Sequence, residues 1–247
     1  MLSAVDVSSV NLKSVYFAND DFLIFTASEY QRLNGFINKF DLSSAFVVNT
    51  ASGKARQLLF PGDGVIYKGQ TGLGRIVGAV PEGSYVYMPA FIQPALLDLP
   101  PDYSLVRVRL DKRIKPQIAR GGSNISDDFF VDAQGNPIAE EQYSDKTNLH
   151  VVLAKQGDNW IKIYENENPS RNIVIVGLTP DEKSLVMLGN DEKAGRTGYF
   201  TMSLKDGSLS ESIFNRIDAD VEDVITDINR IVYGVRYAGF KPSYQFF

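Results

Sequence analysis

Short apolar runs separated by tight turns recur along the whole chain. The clearest copy spans 172–214, where Ile173–Gly177, Ser184–Leu188 and Gly198–Leu204 are apolar or alternating runs and Ser208–Phe214 follows a Lys-Asp-Gly turn. Glycine, asparagine and aspartate in the turns tolerate the positive φ angles of tight hairpins. This order predicts a four-stranded antiparallel sheet. A single sheet of this kind cannot bury both of its faces, so the copies are expected to cover one another.

Weaker copies of this unit precede and follow the clearest one. Their approximate bounds are 14–60, 74–120, 123–165, 172–215 and 221–247, the last incomplete. Sheets repeated in this way stack radially in a β-propeller, so we predict an all-β fold. The expected architecture is one partial propeller domain over 1–247, with about four to five four-stranded antiparallel blades. An antiparallel sandwich uses the same turns and stays an alternative, and Val221–Asn229 also fits a short amphipathic helix.

Composition excludes several function classes. The chain has 247 residues, a net charge of −5 and no cysteine. An acidic chain cannot replace the counterions of a nucleic acid, so no nucleic-acid partner is predicted. No apolar run approaches the roughly 20 residues that span a bilayer, and Met1–Val10 lacks the basic and apolar regions of a signal peptide. Bacterial cytoplasm and periplasm both remain open.

The order of the units resembles the propeller of prolyl oligopeptidase-like serine peptidases, of the dipeptidyl aminopeptidase and acylaminoacyl peptidase type. The segments that carry the likeness are LIFTASEY at Leu23–Tyr30, GRIVGAVPEGSYVYMPAF at Gly74–Phe91, VVLAKQGDNWIKIYE at Val151–Glu165, VGLTPDEKSLVMLGN at Val176–Asn190, and Asp220–Tyr237. The likeness covers nearly the whole chain and lies in the order of the segments. It implies a propeller that partners its own C-terminal α/β-hydrolase domain and admits short peptides.

The chain carries no Gly-x-Ser-x-Gly nucleophile elbow of such a hydrolase domain. The nearest string, Gly121–Ile125, has isoleucine at the last position and is expected in a loop between blades. The only histidine, His150, is expected as a half-buried strand residue on the face opposite Leu149 and Val151. We therefore predict no catalytic, cofactor-binding or metal-binding residue in this chain, and no cofactor.

Six other patterns in the sequence are candidates for sites. Glu140–Glu141 is interpreted as a solvated strand end, and Gly69–Gly74, which lacks the Lys-Ser or Lys-Thr of a phosphate cradle, as a loop. The acidic stretches Asn190–Lys193 and Asp218–Asp220 lack the alternating ligands of a calcium loop and are read as solvated. The remaining two are the glycosylation sequon at Asn124–Ser126 and Trp160, which is read as packing between blades.

The leading hypothesis is a non-catalytic propeller portion of a prolyl oligopeptidase-family peptidase that gates the access of short peptides to a catalytic domain. A stand-alone propeller that binds a protein partner is one alternative. A small propeller enzyme of the glycosidase or lactonase kind, with inward carboxylates, is another. Uncovered end blades would leave apolar surface exposed, so a homo-oligomer formed through them is also expected.

Overall fold

The computed structural model describes residues 10–80, 82–93, 99–169, 171, 173–214 and 216–247. Within these ranges every regular element is a β-strand, so the predicted all-β fold class is confirmed. Five small antiparallel sheets follow one another along the chain as the blades of a five-bladed β-propeller. Four expectations from the sequence fall partly outside the described residues. They are the segment Met1–Val10 at residues 1–9, a turn expected at Pro81–Gly83, a proline-rich loop expected through Pro94, Pro100 and Pro101, and the ends of the fourth unit at Asn172 and Asn215.

The chain divides into two compact units, Met1–Asn136 and Pro137–Phe247. The first unit contains two complete sheets, with strand orders β1-β2-β3-β4 and β6-β7-β8-β9, while β5 pairs parallel with β3 and β10 follows. The strands of this unit are β1 Asn11–Phe17, β2 Phe22–Arg32, β3 Lys39–Asn49, β4 Ala55–Gln57, β5 Gly72–Leu73, β6 Gly78–Val80, β7 Tyr85–Ile92, β8 Asp102–Arg109, β9 Gln117–Ser123 and β10 Ser126–Val131.

The second unit contains three runs of neighbouring antiparallel strands, β11-β12-β13, β14-β15-β16 and β17-β18-β19. Each run is a meander, because every strand pairs with the next one along the chain. The strands are β11 Pro137–Ser144, β12 Leu149–Gln156, β13 Asn159–Glu167, β14 Ile173–Leu178, β15 Ser184–Asp191, β16 Arg196–Ser203, β17 Val221–Thr226, β18 Val232–Tyr237 and β19 Ser243–Phe246.

Apolar side chains cover the sheet faces within each unit. In the first unit, Phe129 and Val131 of β10 pack against Val77, Tyr87 and Leu105, which come from the second sheet and the segment before it. In the second unit, Val186 and Tyr199 of one sheet form a buried cluster with residues of the next, Val221, Val232, Val235 and Tyr237. Sheets that cover one another's faces in this way provide the burial that an isolated sheet lacks.

Two predicted elements differ from the structure. The sequence of the first unit predicts a polar connection at Tyr30–Phe40 between two strands. The connection is shorter in the structure, because β2 and β3 continue into it and pair Glu29 with Leu42 and Gln31 with Phe40. Ser208–Phe214 is not a strand and makes a single bridge from Leu209 to Met202. The Ser210 hydroxyl accepts a hydrogen bond from the backbone N–H of Thr201, so a side-chain oxygen takes the place of a backbone carbonyl in the pairing with β16.

The alternative of a helix at Val221–Asn229 is wrong. Residues 221–226 form strand β17, paired with β18. The turn that follows is organised by Asp227, whose carboxylate accepts hydrogen bonds from the backbone N–H groups of Asn229 and Ile231. Val221 and Val224 of β17 pack in the buried cluster formed with β18. Burial of these side chains favours a strand over the helix that their spacing would also allow.

Candidate binding site

A cavity of about 530 Å³ lies in the first unit and is lined by three aromatic side chains and an arginine. Tyr67 and Arg75 come from the segment around β5, Phe91 is near the end of β7, and Tyr103 is near the start of β8. The beginning of β10 adds Ser126 and Asp127 to the wall. Four segments that are far apart in sequence therefore meet at one cavity, which we call the aromatic cavity.

Residues Gly69–Gly72 of the glycine-rich segment Gly69–Gly74 form one wall of the aromatic cavity. Its position is held by Gln70, whose amide nitrogen donates to the carbonyls of Tyr67 and Phe91 and whose amide oxygen accepts from the N–H of Phe91. Gln70 is buried, and these contacts satisfy it. Gly72 and Leu73 then pair with β3. The predicted loop therefore contains the short strand β5, and the hydrogen bonds of Gln70 fix the residues that precede it.

Arg75 is the only cation among the described residues that line this cavity, and the buried carboxylate of Asp128 pairs with it. Its Nη2 lies 2.6 Å from Oδ2 of Asp128, whose side chain is 5% exposed. Burial opposes the charged guanidinium, but Asp128 and the Tyr103 hydroxyl outweigh this, so the pKa of Arg75 lies above its usual value. Burial also raises the pKa of Tyr103, partly offset by the Arg75 charge. At neutral pH, Arg75 is charged and Tyr103 keeps its proton.

The arrangement suits a ligand with a flat apolar part and a hydrogen-bond acceptor. Phe91 and Tyr103 lie with their ring centroids 4.8 Å apart, and Phe91 is partly exposed. A guanidinium has five N–H donors, so Asp128, the Asp127 carbonyl and the Tyr103 hydroxyl do not use all of them. Peptide carbonyls and carboxylates are acceptors of the kind that arginine binds.

His150 and the Glu140–Glu141 pair differ from their predictions. His150 is buried rather than half-buried, and its Nε2 lies 2.8 Å from Oε1 of Glu141. Both glutamates are buried, so the interpretation as a solvated strand end is wrong. The reason is that β11 continues to Ser144, which places the pair in mid-strand opposite β12. This buried acid–histidine pair was missed because its partners are nine residues apart on different strands.

The remaining candidates lie as follows. Gly121–Ser123 ends β9 and is not in a loop, since Tyr103 pairs with Ser123. Asp191 is buried, and its carboxylate accepts hydrogen bonds from the backbone N–H groups of Lys193 and Ala194. The interpretation of Asn190–Lys193 as solvated is therefore wrong for Asp191. Asp220 accepts from the N–H of Thr197 and pairs with Arg196. Asn124 is exposed in the turn after β9, and Trp160 is half-buried in β13.

In the part of the chain that the structure describes, no three histidine, aspartate or glutamate side chains are grouped in a way that could hold a metal ion. The same residues include no helix long and apolar enough to cross a membrane. Sequence reasoning had no signal for the aromatic cavity, because its walls come together only through the pairing of β3 with β5 and of β7 with β8.

No protein-family model matches the chain, and no curated protein matches it. Among solved structures, it is similar to the β-propeller domain of the trilobed protease from Pyrococcus furiosus, with 9% identity, a TM-score of 0.46, and coverage of 97% of this chain and 81% of that one. It is also similar to a Bacteroides fragilis protein with a proposed 6-phosphogluconolactonase activity, with 10% identity, a TM-score of 0.41, and coverage of 91% and 75%.

A third similar structure is the AtxE2 isopeptidase in its apo form, with 13% identity and a TM-score of 0.34. The match covers 90% of this chain, and this chain spans only 35% of the isopeptidase. With TM-scores below 0.5, these likenesses carry no argument about what the chain binds or does.

Proposed function

We propose that this chain is the non-catalytic propeller portion of a prolyl oligopeptidase-like serine peptidase and that it gates the access of short peptides to a catalytic domain. The observation that carries the proposal is the aromatic cavity of the first unit. Aromatic rings pack against proline and other apolar side chains, and the Arg75 guanidinium donates to peptide carbonyls. The order of the units, which resembles this family's propeller, supports the same function.

The physical basis of gating is size. A pocket of about 530 Å³ has room for the side chains of a short, extended peptide but not for a folded domain. Binding at such a site is expected to be weak, with a Kd of roughly 0.1–1 mM, because a gate must release what it admits. Selection then rests on shape and on the exclusion of large substrates.

The test begins with the coding sequence beyond the codon for Phe247. We expect a Gly-x-Ser-x-Gly motif within a few hundred codons, and the encoded protein should react with a fluorophosphonate probe for active serines. It should cleave a short peptide but not the same sequence inside a folded protein. A stop codon directly after Phe247, or equal cleavage of both substrates, would refute the proposal.

Variants of the cavity test its part in gating. Phe91→Ala should raise KM for a proline-containing peptide by roughly five- to tenfold with little change in kcat, because it removes a contact made equally in the ground and transition states. Phe17→Ala is the matched control, since Phe17 is an exposed phenylalanine on β1 and does not line the cavity. Equal effects of the two substitutions would exclude the cavity from the peptide path.

A stand-alone propeller that binds a protein partner is the second candidate. The observation that favours it is a group of exposed aromatic side chains at the C-terminal end of the second unit: Phe240, Tyr244, Phe246 and Phe247. Exposed aromatic groups of this kind are typical of protein-binding surfaces. A stop codon after Phe247 combined with retained peptide binding would favour this candidate over the peptidase.

A further inference from the structure

The stretch that contains the end of β8, the connection to β9 and the first part of β9 is strongly basic, although the whole chain carries a net charge of −5. From Arg107 to Arg120 it has six lysine and arginine residues and one acidic residue, Asp111. The connection between the two strands is exposed at residues 111–115. Positive charge is therefore concentrated at one place on the surface of the first unit.

Aromatic rings hold three arginines of this stretch in place. The guanidinium carbons of Arg107 and Arg109 lie 4.6 and 5.0 Å from the centre of the Tyr85 ring. The two charges are therefore no further apart than about one Debye length at 0.1 M salt, roughly 10 Å. Arg113 lies over Phe60 in the same way, at 4.9 Å from the ring centre. Guanidinium groups fixed by such contacts lose less entropy when they bind an anion.

Arg56 of β4 adds a further cation. Its Nη2 donates to the backbone carbonyls of Arg109 at 2.9 Å and of Leu110 at 3.1 Å. The pKa of Arg56 lies below its usual value, first because the side chain is partly buried and then because the Arg113 charge repels its own, while Asp111 offsets part of this. The positive charges of this surface therefore repel one another, and an anion bound among them would relieve the repulsion.

These cations form what we call the basic patch, which consists of Arg56, Arg107, Arg109, Lys112, Arg113 and Lys115. Two of its arginines, Arg109 and Arg113, pair with the acids Asp111 and Asp63. The other four cations form no ion pair with a residue that the structure describes. Both lysines of the patch are exposed. The basic patch therefore presents positive charge to the solvent that the described part of the chain does not neutralise.

An apolar side chain within the basic patch favours a polypeptide over a nucleic acid as the ligand. Ile114 lies between Arg113 and Lys115 in sequence and is 40% exposed. Contacts to a phosphate backbone come from charged and polar groups, so an exposed isoleucine contributes little there. The net charge of −5 also repels a long polyanion, whereas a short acidic segment interacts only with charges within about a Debye length. The ligand that matches is acidic, short and partly apolar.

We propose that the basic patch is a docking surface for an acidic segment of a polypeptide, whose carboxylates pair with the patch cations and whose apolar side chain packs beside Ile114. Lysine and arginine bind carboxylates through charge-assisted hydrogen bonds. The proposal does not depend on the proposed function, because Tyr85 and Arg109 lie at one end of the β7–β8 hairpin and the aromatic cavity takes Phe91 and Tyr103 from the other end. Refutation of the peptidase would leave it unaffected.

The probe is a fluorescein-labelled peptide of six glutamates and two leucines, titrated with the full chain and followed by fluorescence anisotropy. We expect a Kd of roughly 10–100 µM at 50 mM NaCl and binding at least about tenfold weaker at 500 mM NaCl, because salt screens exposed charges. The same labelled peptide with glutamine in place of glutamate, and a labelled decathymidylate, should each bind at least about tenfold more weakly than the glutamate peptide. No binding of the glutamate peptide, or equal binding of either comparison ligand, would overturn the proposal.

Charge reversal separates the basic patch from the overall charge of the protein. Lys112→Glu combined with Lys115→Glu should weaken binding of the glutamate peptide at least about tenfold, because two attractive charges become repulsive. The control is Lys13→Glu combined with Lys39→Glu, which changes the net charge by the same amount at exposed lysines outside the patch. Both double variants should melt within a few degrees of the parent protein, since all four lysines are exposed. Equal effects of the two double variants would overturn the proposal, because the patch would then have no special part in binding.

Discussion

At the scale of single residues, the contact between Glu141 and His150 in the second unit buries two ionisable side chains together. The carboxylate is the acceptor, so Nε2 donates, and Nδ1 has no partner among the described residues. The imidazole also lies edge-on to Tyr143 and Tyr164, with centroid distances of 6.1 and 5.6 Å. Polar groups buried to this extent depend on each other, because neither can turn to water.

Glu141→Gln should therefore be strongly destabilising. Removal of one partner of a buried pair costs about 3–5 kcal/mol, and an amide keeps only part of the contact, so we expect a loss of roughly 2–4 kcal/mol in the free energy of unfolding. Urea denaturation measures it. The control is Glu165→Gln on β13, where the carboxylate is exposed and contacts Lys162, and its cost should stay below about 1 kcal/mol. Equal costs would mean that the buried contact contributes little.

Tyr199 provides a prediction about alkaline pH. It is 2% exposed, and burial raises the pKa of its phenol to about 12. Below pH 10 the phenol is protonated in both the folded and the unfolded chain. From about pH 10 to 12 only the unfolded chain releases the proton, so stability falls by about 1.4 kcal/mol per pH unit, or roughly 3 kcal/mol in total.

Tyr199→Phe should remove this component of the pH dependence. The comparison is the free energy of unfolding of both proteins at pH 8, 10, 11 and 12, and the difference between them should grow only above about pH 10. The other tyrosines titrate in both proteins and cancel. The ring contacts with Phe214 and Phe247 are edge-to-face and need no hydroxyl, so the variant should fold. Parallel pH curves for the two proteins would contradict the assigned pKa.

At the scale of strands and turns, two hairpin glycines of the second unit form a matched pair. Gly207 and Gly157 both have positive φ, +74° and +60°. A Cβ at Gly207 would lie 1.8 Å from the carbonyl oxygen of Ile163, whereas a Cβ at Gly157 would meet nothing within 4 Å. The first turn is packed against a neighbouring strand, and the second is open.

Gly157→Ala should cost about 1–2 kcal/mol, the usual penalty of a left-handed conformation for a residue with a side chain. Gly207→Ala should cost more than about 4 kcal/mol, because the backbone of β13 or of the turn itself must move to relieve the overlap. Thermal and urea unfolding measure both. Similar losses for the two variants would show that the turn at Gly207 shifts freely and that its packing is not rigid.

The hairpin turns were predictable from sequence because their chemistry is local. Gly157 supplies the positive φ of its turn, the Asp227 carboxylate accepts from the backbone of its own turn, and glycine and aspartate are residue types that tight turns favour. The ends of strands were harder to place. Tyr30 and Glu141 lie in polar stretches that sequence assigned to a loop and to a strand end, yet β2 and β11 continue through them. Cross-strand pairing, which the local sequence does not encode, decided these positions.

At the scale of the whole molecule, the fold class followed from the repeat, but the aromatic cavity did not. The aromatic cavity needs Arg75, Phe91 and Asp127 to meet, and they are brought together by strand pairings across some fifty residues. Sites built from several strands are therefore visible only after the register is known.

The two terminal strands carry the last prediction. β1 exposes Val15 and Phe17, and β19 exposes Tyr244 and Phe246. Each strand ends the order of its sheet and pairs on one side only among the described residues. Edge strands offer unpaired N–H and C=O groups, and exposed apolar side chains beside them favour pairing with a second copy. We therefore expect the chain to self-associate through one of these edges.

Sedimentation equilibrium should show a reversible dimer with a Kd in the range of about 1–100 µM, as expected for an interface of modest size. Phe246→Lys would place a charge on the β19 edge and should weaken association at least tenfold if this edge is used, and Phe17→Lys makes the same test for β1. Both residues are exposed, so neither change should lower the melting temperature by more than a few degrees. A protein that stays monomeric up to about 500 µM would exclude pairing through either edge, because even a weak interface of this kind forms below that concentration.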